Sequence, residues 1–206
     1  MFKTFLAVWL AALFLPVVAG AHAPFLESDD FTPSVPFVMA GSVEKSIAVY
    51  AALVPAQDVD VYTFTVVEGE RVQANLLVPQ CVEYETFFPA IALVGPGLSE
   101  PDEDLPLDLP AGYGAQVQRG FDPAGPDTFY EPFSAKSYYR FPKLIVEDAR
   151  PGAWQAWVWD PDNASVDYVF APGFRERFTL WDILRTLFIL PLLWFDGELN
   201  GPCTAP

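Results

Sequence analysis

Between residues 47 and 170 the chain repeatedly alternates polar and apolar side chains. Residues 60–66 give the clearest case, because every second side chain is large and apolar while Thr63 and Thr65 lie between them. A period of two is typical of a strand with one buried face. After a turn at 68–70, the segment 71–76 alternates in the same way, so the two segments together predict a β-hairpin.

Further short strands are expected in five segments: 47–53, 90–94, 139–146, 153–159 and 166–170. Glycine, proline, aspartate and asparagine mark turns between them, at 95–97, 151–152 and 160–163. No helical pattern separates these strands. The pattern therefore predicts an all-β fold, an antiparallel jelly-roll-like β-sandwich.

The segment 99–132 breaks this pattern. It is rich in proline, acidic residues and glycine, and the sequence predicts an irregular surface insertion between strands. A loop of this length is often functional, although a solvated insertion is the commoner case.

A different period begins at Thr179. Thr179 and Asp182 form a capping-box pattern that predicts the start of an apolar helix, with Asp182, Arg185 and Thr186 on one face. Pro191 is expected to bend or end this helix. About 16 helical residues reach only ~24 Å, short of the roughly 30 Å hydrocarbon core of a bilayer, so a full span is not expected.

Two placements of this helix remain open. It could pack on the sandwich and cover a sheet edge or face. Alternatively, residues 179–195 could make peripheral contact with a membrane, with Trp181 and Trp194 near the lipid headgroups.

The first residues resemble an export signal. Lys3 is followed by the apolar run 5–18 and by small residues at 19–21. Cleavage is expected after Ala21, because the second register, after Ala23, would place Pro24 next to the scissile bond. An uncleaved anchor is the alternative.

These patterns divide the chain into a signal peptide (1–21), a β-sandwich domain (22–172) and a C-terminal helical tail (173–206). Eleven basic and 27 acidic side chains give a net charge of −16, which becomes −17 when Lys3 is removed with the signal. Such a surface disfavours nucleic acid and anionic lipid as partners. The expected location is secreted or periplasmic, with membrane association left open.

The chain contains two cysteines, Cys81 and Cys203, both in the exported part. An oxidising compartment favours pairing, so one disulfide is predicted. Two separate thiols are the alternative, since sequence spacing does not fix how closely the two Cα atoms approach.

Three segments resemble the bacterial pre-peptidase C-terminal domain. They are 58–66 followed by Gly69-Glu70, 151–158, and 166–170. The resemblance covers roughly residues 47–170. It implies a small jelly-roll-like β-sandwich of the kind found beside secreted proteases and other exported enzymes, with a role in binding or secretion rather than catalysis.

Histidine chemistry is nearly absent, because His22 is the only histidine. Ser/His/Asp and Cys/His mechanisms are therefore not expected. At a new N-terminus, His22 could bind copper through its amine and ring, although a second histidine ligand is lacking.

Calcium is the only other cofactor that the sequence suggests. Asp160, Asp162 and Asn163 place oxygen ligands close together in one loop, and Asp58 with Asp60 could add others. The same loop is equally typical of an Asp/Asn turn. Asn163 also begins an Asn-Ala-Ser acceptor for glycosylation, which applies only if the source is eukaryotic.

The function predicted first is an exported, non-catalytic accessory domain that binds a protein, a glycan or a surface component. Trp157, Trp159 and Tyr138 are the candidate ligand-binding residues, provided that they are exposed on a concave face. The alternative is a carboxylate-based hydrolase acting on glycans, with its site in the insertion.

Overall fold

The computed structural model describes residues 22–55, 57–80, 88–120, 125, 127–131 and 134–195. Within these residues the chain forms twelve strands and one helix. The strands are β1 (Ala23–Leu26), β2 (Phe37–Val38), β3 (Ile47–Leu53), β4 (Val59–Val66), β5 (Val72–Pro79), β6 (Ala90–Pro96), β7 (Tyr113–Arg119), β8 (Asp127–Glu131), β9 (Lys136–Arg140), β10 (Leu144–Val146), β11 (Gly152–Trp159) and β12 (Val166–Pro172). The helix, α1, is Leu180–Phe195.

The strands form two sheets, which confirms the predicted all-β sandwich with an apolar C-terminal helix. Sheet A has the order β1-β3-β12-β5-β9-β8, with β10 also paired to β5, and sheet B has the order β2-β4-β11-β6-β7. Two pairs at the sheet edges are parallel: β1 with β3, and β2 with β4. The other pairs are antiparallel.

The main core lies between the two sheets. Tyr62, Phe64 and Val66, predicted to point inward from β4, pack there against apolar side chains of sheet A such as Leu76 and Phe170. The Tyr62 and Phe170 rings lie 4.2 Å apart between centroids. The alternation therefore identified the buried face of β4 correctly.

The predicted β-hairpin is wrong. β4 belongs to sheet B and β5 to sheet A, so the turn at 68–70 carries the chain from one sheet to the other. All eight residues of β5 are buried because the strand is central and covered on both faces. Alternation shows which face of a strand is buried, but two strands can bury facing side chains across a sandwich as well as along one sheet.

The segment 99–132 is less irregular than the sequence suggests. It contains β7, which pairs with β6, and β8, which pairs with β9. Leu105, Leu107 and Leu109 lie on the outer face of sheet B, where they pack against a cluster that includes Trp157 and Trp159. The prolines prevent a regular strand there but allow every second side chain to cover the sheet.

The capping box at Thr179 is confirmed. The Asp182 amide donates to Thr179 Oγ1 at 3.2 Å, and the Thr179 amide donates to Asp182 Oδ2 at 2.8 Å. The helix does not end at Pro191, which lies inside it. Ile189 and Leu193 pack on the outer face of sheet A, against Tyr50 and other side chains of β3, β5, β9 and β12.

Candidate functional site

The loop predicted to bind calcium forms a hydrogen-bonded turn. Asp160 is buried, and its two carboxylate oxygens accept the amides of Asp162 at 3.1 Å and Ala164 at 2.7 Å. Asp162 and Asn163 are exposed. The Asp160 carboxylate is therefore already occupied by backbone amides. This arrangement is the Asp/Asn turn that the sequence also allowed.

The other residues of the loop fit a turn as well. Asn163 has a φ of 57°, a left-handed conformation that asparagine tolerates, and its amide donates to the Asp160 carbonyl at 3.0 Å. Its exposure makes the side chain accessible to modification, which remains a prediction for a eukaryotic source only.

His22, the predicted copper ligand, lies immediately before β1 and is half-buried. It lines a small cavity with Gln73 and Asn75. No carboxylate or thiol of the described residues joins it in a cluster with metal-ligand spacing. Copper binding at His22 stays a prediction.

The three aromatic side chains predicted to face a ligand are buried. Tyr138, Trp157 and Trp159 are 0%, 2% and 6% exposed. The two tryptophans lie beneath the leucines of the insertion, and Tyr138 belongs to the cluster beneath α1. The expectation of an exposed aromatic face is therefore wrong for these residues, because other side chains cover the sheet faces on which they lie.

The signal peptide (1–21) and both cysteines, Cys81 and Cys203, lie outside the described residues. The predicted cleavage and the predicted disulfide therefore remain predictions.

Four carboxylates from two separate segments come together at one edge of the sandwich. Glu27 follows β1, and Asp30 lies three residues further on. Asp58 immediately precedes β4, and Asp60 is the second residue of that strand. One carboxylate oxygen from each of Glu27, Asp30 and Asp60 lies within 4.8 Å of the other two. We call these four residues the acidic cluster.

Backbone hydrogen bonds hold the N-terminal half of the acidic cluster in place. The Glu27 amide donates to the Tyr50 carbonyl at 2.9 Å, which continues the parallel pairing of β1 with β3. The Glu27 carboxylate accepts the Ala52 amide at 2.9 Å and the Phe31 amide at 3.3 Å. The Phe31 carbonyl in turn accepts the Val61 amide at 2.7 Å, which fixes this segment against β4.

Asp60 is the most enclosed member of the cluster. Its side chain is 0% exposed, and the Tyr168 hydroxyl donates to its Oδ2 at 2.5 Å. The Tyr62 hydroxyl lies 2.6 Å from that of Tyr168, so the three groups form a short buried chain. Asp60 Oδ1 has no hydrogen-bond partner. A buried acceptor without a partner is costly, and a carboxylate more so than a neutral group.

The cluster has an unusual protonation state. Burial raises the pKa of Glu27 to about 7, against the two backbone amides that lower it. Burial, and then the charge of Glu27, raises the pKa of Asp60 to about 8. Burial and the charge of Asp30 raise the pKa of Asp58. No ion pair within the described residues involves any of the four carboxylates.

This arrangement suits a hard cation. Two oxygens bound to one Ca²⁺ ion at about 2.4 Å lie at most ~4.8 Å apart, and calcium accepts irregular sets of carboxylate oxygens. A cation would replace the protons that Glu27 and Asp60 otherwise retain. Hydrolysis fits less well, because a glycan cannot reach a fully buried Asp60.

Sequence patterns identified only half of this cluster. Asp58 and Asp60 were candidate additional ligands, but for the loop at 160–163. Glu27 and Asp30 were missed, because their position depends on the parallel pairing of β1 with β3. The only local signal was the acidic run at Glu27, Asp29 and Asp30.

The fold and site together define an all-β sandwich with a partly buried carboxylate cluster. No helix in the described part of the chain is long and apolar enough to cross a membrane.

No family model matches the sequence, and no curated protein matches it. Among solved structures, the chain is similar to the pre-peptidase C-terminal domain of a collagenase from Bacillus anthracis, the class of domain that the strand motifs resemble. The identity is 14% and the TM-score 0.36, over 66% of this chain and 93% of that one.

The chain is also similar to CorA, a surface-associated copper-binding protein important in Methylomicrobium album BG8 copper acquisition. The identity is 10% and the TM-score 0.27, over 76% of this chain and 100% of that one.

Proposed function

We propose that this protein is an exported, non-catalytic accessory β-sandwich whose N-terminal segment is fastened to the sandwich by Ca²⁺ bound at the acidic cluster. The observation that carries the proposal is Asp60 Oδ1, a fully buried carboxylate oxygen without a hydrogen-bond partner beside two further carboxylates. A divalent cation supplies the missing partner and offsets both the burial and the repulsion from Glu27 that raise the pKa of Asp60.

Calcium is preferred to other metals because of the ligand chemistry. The four side chains offer only oxygen atoms, and Asp30 is exposed, so solvent can complete the coordination shell. Extracellular calcium modules bind with Kd values of about 10⁻⁴–10⁻³ M, which matches the compartment that an export signal implies. The proposed ion would join the residues before β2 to the start of β4.

The accessory role is supported by what the chain can bind with. The net charge of −16 opposes nucleic acid, so a protein, a glycan or a surface component is the proposed partner class. The alternative of a carboxylate-based glycan hydrolase would need Asp60 to contact substrate. Its burial favours binding over catalysis.

Calcium titration of the full exported chain tests the proposal. When calcium is about 100-fold above Kd, we expect Tm to rise by about 5–10 °C, as binding to the folded state alone requires. Asp30→Asn should raise the Kd measured by calorimetry at least ten-fold, since it removes one ligand charge. Its control is Asp29→Asn, an equally exposed neighbour outside the cluster.

Equal calcium responses of wild type, Asp30→Asn and Asp29→Asn would contradict the site. A response lost in Asp162→Asn but retained in Asp30→Asn would instead place calcium at the 160–163 loop. Turnover of a glycan by the wild type that Asp60→Asn abolishes would establish the hydrolase.

A further inference from the structure

Helix α1 has its polar side chains turned inward. The buried residues are Asp182, Thr186, Ile189 and Leu193, spaced four, three and four apart along one face. A surface helix of a protein in water normally shows the opposite arrangement, with apolar residues inside and polar residues outside.

Specific contacts fix this orientation. Lys45 Nζ, on the loop before β3, lies 2.8 Å from both carboxylate oxygens of Asp182. The buried Thr186 hydroxyl finds its partner within the helix, because it donates to the Asp182 carbonyl at 2.8 Å. The Arg185 guanidinium stacks on the Phe25 ring of β1 at 4.1 Å from its centroid. The helix therefore cannot turn its apolar side inward without breaking a buried ion pair.

The outward face of α1 is apolar over its whole length. Leu180, Trp181 and Phe188 are 74%, 69% and 77% exposed. Among the described residues, eight of the sixteen large hydrophobic side chains that are exposed belong to this one helix: Leu180, Trp181, Ile183, Leu184, Leu187, Phe188, Leu192 and Trp194. Such concentration marks an interaction surface rather than scattered surface residues.

We propose that the outward face of α1 inserts into the interface of a lipid bilayer rich in zwitterionic phospholipid and so places the sandwich on a membrane surface. This inference does not depend on the calcium site, which involves none of the residues on this face.

The chemistry of the face favours lipid over a protein partner. A specific protein interface combines an apolar centre with a polar rim and hydrogen bonds. On α1 the polar side chains point inward, so the only outward hydrogen-bonding groups are the indoles of Trp181 and Trp194. These two residues are about 20 Å apart along the axis, one at each end, and tryptophan is enriched at the headgroup level of membranes.

The charge next to α1 also favours a bilayer. Arg177 is exposed immediately before α1, and Arg175, which is also exposed, pairs with Glu44 at 2.9 Å. The segment 173–195 thus carries three arginines against Glu176 and Asp182, although the whole chain is strongly acidic. Guanidinium groups at this position can bind lipid phosphates.

Vesicle flotation of the full exported chain, with its N-terminus determined by mass spectrometry, tests the inference. In EGTA we expect the wild type to float with phosphatidylcholine vesicles and its tryptophan emission to shift to shorter wavelength. Brominated phosphatidylcholine should quench this emission, which tests insertion without any variant. Leu180→Gln, Leu187→Gln and Phe188→Gln combined should lower the partition coefficient at least ten-fold.

The matched control combines Val35→Gln, Val38→Gln and Val67→Gln, three residues that are 57–69% exposed outside the helix. It should bind vesicles like the wild type. Wild-type protein that stays with the unbound fraction and is not quenched overturns the inference. A concentration-dependent dimer that the helix variant disperses, without vesicle binding, also overturns it and assigns the face to self-association.

Discussion

At the scale of single residues, Asp60 illustrates how position changes the chemistry of a common side chain. Full burial and the neighbouring Glu27 raise its pKa to about 8, while the Tyr168 hydroxyl lowers it by donating to Oδ2. The same burial raises the pKa of Tyr168 well above its usual value, so the tyrosine remains a donor. The negative charge of Asp60 can therefore be neutralised by a proton or by a bound cation, since no ion pair within the described residues balances it.

The raised pKa values predict how stability depends on pH in the absence of calcium. Between about pH 4 and 8, the folded protein retains protons on Asp60 and Glu27 that the unfolded chain has already released. The free energy of unfolding should therefore fall as pH rises through this range. The contribution is fully present below about pH 4 and is lost above about pH 8.

Asp60→Asn should flatten this dependence by up to about 1.4 kcal/mol per pH unit, which is the linkage of one proton. Urea unfolding at pH 5, 7 and 9 in EGTA measures it, with Asp29→Asn as the control that keeps the wild-type slope. Parallel curves for the wild type and Asp60→Asn would show that Asp60 does not hold this proton.

At the scale of elements, local patterns were sufficient to predict single strands and the start of the helix, but they did not predict which strands pair over long range. The strand at 47–53 and the capping box at Thr179 were predicted because alternation and capping depend only on neighbouring residues. The predicted strand 139–146 divides into β9 and β10, which both pair with β5.

The sheets to which β4 and β5 belong could not be predicted, since both sheets bury large side chains in one core. The acidic cluster was missed for the same reason: Glu27 meets Asp60 through the parallel pair of β1 and β3 and through the hydrogen bond from the Val61 amide to the Phe31 carbonyl. The aromatic prediction failed because Trp157 and Trp159, although they lie outside the main core, are covered by the leucines of the insertion.

The attachment of α1 includes one ion pair, between Lys45 and Asp182, that can be tested. Asp182 is 2% exposed; burial alone would raise its pKa, but the hydrogen bonds from Lys45 and Thr179 lower it to about 2. Lys45→Met should cost about 2–4 kcal/mol at pH 7, because it leaves a buried carboxylate without its main partner. Urea unfolding and amide exchange within α1 measure the effect.

The stability that Asp182 contributes should be present above about pH 4 and lost as pH falls towards 2, because its folded pKa lies below its ordinary value. Lys45→Met should remove most of this acid dependence. Lys143→Met, which changes an exposed lysine outside the ion pair, should leave it intact. Equal acid dependence in all three proteins would mean that Lys45 does not hold the helix.

At the scale of the whole molecule, two different segments cover parts of the outer faces of the sandwich. Helix α1 covers part of sheet A with Ile189 and Leu193, and the insertion covers part of sheet B with its three leucines. Arg119 reinforces the second cover, because its guanidinium pairs with Glu103 and lies 5.5 Å from the centre of the Trp159 ring. The two covers differ in their outer surfaces: that of α1 is apolar, whereas the leucines of the insertion alternate with prolines and acidic residues.

This difference predicts opposite responses to the same kind of substitution. Leu105→Ser, Leu107→Ser and Leu109→Ser combined should cost about 2–4 kcal/mol, since each partly buried leucine contributes roughly half of the 1.5–3 kcal/mol of full burial. The emission of Trp157 and Trp159 should shift to longer wavelength as water reaches them. Leu180→Ser, Leu187→Ser and Leu192→Ser combined, on the outward face of α1, should change stability in water by less than about 1.5 kcal/mol. Urea unfolding followed by tryptophan emission compares the two, and a larger loss from the helix substitutions would mean that its outward face is already covered by protein rather than available to a membrane.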